Sequence, residues 1–130
     1  MRGPSTVEKF ILIGLGGFLG ANARYLLGGW VADRLGPGFP YGTFVINATG
    51  SFAIGLFMAL VTDRFSAPPG LRLFFAIGFV GAYTTFSTFT YESVALLEAR
   101  AYAAAAANLI GSVAIGLLAV VLGAAVGRDL

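Results

Sequence analysis

Four apolar stretches, each near or above the ~20 residues that cross a hydrocarbon layer, constrain this chain more than any other feature. They run roughly from Phe10 to Val31, Gly42 to Val61, Leu71 to Leu97 and Ala101 to Val126. Lipid offers the backbone no hydrogen-bond partners, so such stretches are expected to be helices. The expected fold class is an all-α membrane protein: four transmembrane helices in one unit, residues 1–130. Local signals agree. The five prolines (Pro4, Pro37, Pro40, Pro68, Pro69) fall outside the spans, where a missing N–H does least harm. Asp33, Arg34, Asp63, Arg64, Glu98 and Arg100 mark span ends, with Trp30, Tyr41 and Tyr102 nearby as an aromatic belt.

With 58% hydrophobic and 11% charged residues, the composition lies far from the soluble balance. The chain has neither Cys nor His, which removes disulfides, thiolate chemistry, His metal sites and His proton relays. Its formal charge of +2 reflects few ionisable groups. No basic–aromatic patch suggests a nucleic-acid partner. No nucleophile–base pair, metal cluster or phosphate loop suggests an enzyme. The first apolar stretch continues through Gly16, Gly20 and Arg24, longer than the apolar region of a signal peptide. It is expected to remain as the first helix.

Small residues predict how the helices associate. Gly16 and Gly20 form a GxxxG pair, and Ser51 with Gly55 and Ser112 with Gly116 repeat the spacing. Close backbone approach is what holds helices together in lipid. Two polar stripes add a second signal: Thr43, Asn47, Ser51 and Gly55 on the second span, and Asn108, Ser112 and Gly116 on the fourth. Polar groups at this depth belong against protein or water. Interhelical hydrogen bonding accounts for Ser51, whereas mid-span Asn47 points to a polar path. Two charges lie well inside the spans, Arg24 and Glu92. Arg24 either snorkels to the interface as an anchor or draws anions inward. Glu92 shares a strip with Thr88 and Phe89; it pairs, lines the path or reaches the interface.

The third span carries GFVGAYTTFSTFTYE, from Gly78 to Glu92. Thr84, Thr85, Ser87, Thr88 and Thr90 bear hydroxyls that compete for backbone hydrogen bonds, and Gly78 and Gly81 relax the chain. A helix broken in mid-membrane is expected here, with helix ends and bare carbonyls available to ions. The alternative is a Thr-rich helix kept intact by back-bonding to i−4 carbonyls. Phe86 and Phe89, three apart, share one side of any helical turn.

Together GGFLGANARY (Gly16 to Tyr25), GTFVINATGSFAIG (Gly42 to Gly55) and GFVGAYTTFSTFTYE resemble the Fluc family of fluoride channels, also called the CrcB family. The resemblance covers three spans in order, and reaches the fourth mainly through Ser112. It implies an antiparallel, dual-topology homodimer in the bacterial inner membrane. It implies passive fluoride efflux that lowers cytoplasmic fluoride. Phe86 and Phe89 would line the pores, Asn47 would hydrogen-bond fluoride, and Ser112 and Thr88 would be hydroxyl partners. Thr43 and Glu92 belong to the same path, with Arg24 at the anion entry. A structural sodium ion at the dimer interface would be held by main-chain carbonyls of Gly81 and Thr84. Asn108, counted with the same fluoride path, stands where the family often has Tyr; its amide can still donate a hydrogen bond, with a different reach.

The chemistry suits the ion. Fluoride is small and strongly hydrated, and Asn amide and Ser or Thr hydroxyl donors can replace its water. The ring edge of Phe is the positive part of its quadrupole. One pattern pulls against dual topology: Arg2, Lys9, Arg64, Arg72 and Arg128 share one side, against Arg34 and Arg100 on the other. Two rival readings remain from the residues alone. A proton-coupled small multidrug or guanidinium exporter would need a carboxylate in mid first span, which this chain lacks. A non-transporting scaffold would use the stripes only for packing.

Overall fold

A computed structural model describes residues 2–130, and helix is the only regular structure among the described residues. Helix α1 spans Thr6–Leu35. Its start is fixed by a capping box: Ser5 Oγ accepts the Glu8 N–H at 3.2 Å, and Glu8 Oε2 accepts the Ser5 N–H at 3.0 Å. Two donors orphaned by a helix start are thereby satisfied. It stops where Gly36 takes φ 86°, a conformation open to glycine at no steric cost, just before Pro37. On its last turn the Arg34 guanidinium lies 5.1 Å over the Trp30 ring.

Helix α2, Tyr41–Ala59, passes into a π-helical stretch π1, Leu60–Arg64. The third span is composite. It comprises α3 (Pro69–Leu71), a π-helical stretch π2 (Arg72–Val80) and α4 (Gly81–Tyr83). Thr84 and Thr85 are extended, with φ/ψ of −86°/157° and −149°/114°, and α5 then runs Phe86–Glu98. Arg100, at φ 61°, turns the chain into α6, Tyr102–Asp129.

Four helical segments are long and apolar enough to cross a membrane: Thr6–Leu35, Tyr41–Arg64, Pro69–Glu98 and Tyr102–Asp129. Their ends correct the sequence-based limits. The capping box and Gly36 extend the first helix on both sides, so Arg24 lies about three turns from its C-terminal end. Pro69, expected outside the spans, occupies the first position of α3, where its fixed φ favours helix initiation.

Helix α1 packs mainly on π2, and α2 mainly on α6. A Cβ added at Gly16 or Gly20 would meet the backbone carbonyls of Phe74 or Phe79. The GxxxG pair therefore seats α1 on the third span. Gly55 and Gly123 do the same for α2 and α6, facing the carbonyls of Val120 and Phe52. An aromatic ladder joins α2 to the third span: Phe57 of α2, then Phe75, Phe79 and Tyr83, succeed one another at centroid distances of 4.7, 5.7 and 5.8 Å. Large apolar side chains such as Phe10, Phe18, Ile110 and Leu117 point outward and are exposed, as suits a hydrocarbon surround.

Candidate functional site

Between α4 and α5 the helical ladder is replaced by side-chain bonds. Thr84 keeps its N–H on Val80 O at 3.0 Å and adds its hydroxyl there at 2.9 Å. The next N–H, of Thr85, would close on Gly81 O in a continuous helix. It donates instead to Asn47 Oδ1 at 2.8 Å, while Asn47 Nδ2 donates back to Thr85 O at 3.0 Å. One amide thus pairs with both backbone groups of Thr85, as a neighbouring strand would. Thr85 also caps α5, its Oγ1 accepting the Thr88 N–H at 3.2 Å and donating to Thr88 Oγ1 at 3.0 Å.

The neighbouring helices secure the rest. Arg24 is half-buried and its Nε donates to Ala82 O at 3.0 Å. Tyr83 is buried, and its hydroxyl meets Thr49 Oγ1 on α2 at 2.7 Å. Gly50 leaves room for Thr84, since an added Cβ would meet Thr84 Cγ2.

Two clefts flank this interruption, and Thr85 lines both. One, of about 440 Å³, is bordered by Asn47, Gly81, Thr84, Phe86, Phe89 and Ser112. The Phe86 and Phe89 centroids are 5.9 Å apart, tilted by 50°. Phe89 is buried at 7% exposure, whereas Phe86 is 77% exposed and projects from the subunit. The other cleft, of about 540 Å³, is bordered by Arg24, Thr43, Thr88 and Glu92. There the Thr43 hydroxyl donates to Glu92 Oε1 at 2.5 Å, so the carboxylate is paired with a neutral donor.

The expected path residues therefore divide. Asn47, Ser112, Phe86 and Phe89 gather with Gly81 and Thr84; Thr43, Thr88, Glu92 and Arg24 gather on the other side of Thr85. Asn108 borders neither cleft. It is enclosed between α5 and α6 at 1% exposure, its Nδ2 donating to Ser93 Oγ at 2.9 Å and its Oδ1 accepting from Ser112 at 3.1 Å. Sequence reasoning missed Ser93 entirely and counted Thr85 only as one of several helix-loosening hydroxyls. Thr85 carried a usable signal, a Thr before a helical run with Thr88 three residues later. The i, i+4 spacing of Phe75, Phe79 and Tyr83 was likewise open to reading.

Four membrane-length helices, with neutral donors and phenyl rings gathered at an irregular turn between two of them, define a multi-pass membrane protein. The profile described as "CrcB-like protein, Camphor Resistance (CrcB)" matches residues 11–124, and the chain belongs to the CrcB family. It is 47% identical to the "Fluoride-specific ion channel FluC" of Solibacter usitatus, over 92% of this chain and 98% of that one. The protein of that name from Acidobacterium capsulatum is also 47% identical, over 92% and 96%. That from Chloroflexus aurantiacus is 43% identical, over 94% and 97%.

Proposed function

We propose that this chain is a fluoride-selective channel, not an enzyme, that lets fluoride leave the cytoplasm passively and so protects against its toxicity. One observation carries the reading: amide, hydroxyl and phenyl-edge groups converge at the start of α5. Asn47 has a second N–H beyond the one bonded to Thr85 O. The α5 N-terminus adds the positive end of a helix dipole and first-turn N–H groups, an arrangement that favours anions. The rims of Phe86 and Phe89, both bordering that cleft, offer weakly positive edges. Several modest contacts in series suit conduction, which requires release as well as entry. Arg24 in the adjoining cleft raises the local anion concentration, and Glu92, bonded to Thr43, borders the same entry.

The interruption at Thr84 and Thr85 lies in mid-membrane in this reading, and the working unit is an antiparallel, dual-topology homodimer in a bacterial inner membrane. Support comes from the outward Phe86 ring and the exposed Gly81, a cleft residue and a site-turn residue that a second subunit would cover. Sodium fits the same turn by donor chemistry. The Thr85 N–H goes to Asn47 and the Thr88 N–H goes to the Thr85 hydroxyl, so the carbonyls of Gly81 and Thr84 lose their usual helical donors. Hard cations of this kind favour such oxygens. Gly81 and Thr84 would hold the ion, which supplies a fixed positive charge that offsets carbonyl dipoles and ties two subunits.

Purified protein in liposomes, with a potassium gradient, valinomycin and a fluoride electrode, tests the function. Release well above empty vesicles, with chloride excluded, is expected. Release no greater than from empty vesicles overturns the reading, and flux driven only by a pH gradient indicates an exchanger.

A further inference from the structure

A buried chain of three hydrogen bonds runs from the cleft to the backbone of α5, and its direction is set at one end. Phe89 O can only accept. Ser93, 2% exposed, therefore gives it the hydroxyl proton at 2.7 Å. With its only hydrogen committed, Ser93 Oγ can serve Asn108 solely as an acceptor, so the group facing it at 2.9 Å is the amide NH2. The amide oxygen then faces Ser112 at 3.1 Å, and Ser112 donates to it. A terminal amide can usually be placed two ways round; here the Phe89 carbonyl removes that freedom.

Ser112 accordingly turns lone pairs, not its hydrogen, toward the cleft that Asn47, Phe86 and Phe89 border. An anion needs the hydrogen. Taking it strands Asn108 Oδ1, which at 1% exposure has no water to replace the lost donor. We infer that Asn108, held by Ser93, is a positioning residue that competes with the permeating anion for the Ser112 proton and so keeps this contact weak. The inference rests on the fluoride-channel reading. It gives Asn108 a role without contact with the ion, and makes Ser93 part of the same device.

The test is the fluoride concentration giving half-maximal efflux from reconstituted vesicles. Asn108→Leu, close in shape and unable to accept, is expected to lower it about fivefold, the equivalent of about 1 kcal/mol. Ser112→Ala in that background is expected to abolish the shift relative to Ser112→Ala alone. Ser93→Ala releases the amide and moves the value in the same direction, whereas Ser93→Thr keeps the hydroxyl and restores it. This pair decides the matter if Asn108→Leu does not elute as a single folded species. Unchanged or raised half-maximal concentrations in Asn108→Leu and Ser93→Ala overturn the inference, as does a shift that persists without Ser112. Wild-type vesicles that release no fluoride overturn the channel reading and this inference with it. Wild-type release with no shift in the variants overturns this inference alone.

Discussion

Thr85 commits its backbone N–H and C=O to a single side chain, Asn47, and its hydroxyl to Thr88. Asn47 thus does structural work with one N–H, and its second N–H leaves a path role compatible with that packing role. The phenyl pair is the cleaner probe of conduction. Phe86→Ile alters a ring that is 77% exposed in the subunit, and is expected to abolish fluoride efflux with little change in thermal stability. Phe89→Ile replaces a buried ring and is expected to abolish efflux with a loss of about 1–2 kcal/mol in stability. Efflux and melting of the two variants, measured side by side, check both; wild-type flux in both removes the rings from the mechanism.

Among the elements, close backbone contact matters more than side-chain bulk. Gly123→Val places two methyl groups where Phe52 O already lies against α6. It is expected to destabilise the protein by about 1–3 kcal/mol or more. Gly29→Ala, at a position with open space, is expected to leave melting in detergent nearly unchanged. Comparable melting of the two would contradict the packing described. The helices were legible because apolar runs of this length have one solution in lipid; their ends were less so, since the Ser5 cap and Gly36 lengthen α1 and Pro69 lies inside its helix. The pairing of α1 with the third span was not. A GxxxG motif announces close approach without naming the partner. The same gap hid Ser93, whose importance depends on α6 lying beside α5, and it merged two clefts into one expected path. The π-helical stretches had no signal we can identify in the residues.

For the whole molecule, three of the cations on the side of the termini are engaged by the fold. Arg64 donates to Arg128 O at 2.6 Å and Arg72 to Val61 O at 3.2 Å, while Arg128 lies 3.5 Å from Asp63. These cations are occupied with helix-end carbonyls and a carboxylate. Insertion in both orientations is what the dual-topology reading predicts. Because the chain has no native Cys, Leu130→Cys provides a single label site, and an impermeant maleimide should reach it in comparable shares from each face of sealed vesicles. Labelling from one face only contradicts dual topology. The Asn47 pairing with Thr85 bears on movement at this scale. Extended residues between two helices suggest a hinge, yet α2 holds Thr85 through Asn47 and the adjoining Tyr83 through Thr49, and α6 packs on α2. Flexing there would require three helices to shift together, so in the channel reading any opening and closing falls to rotating rings and hydroxyls within a stationary frame.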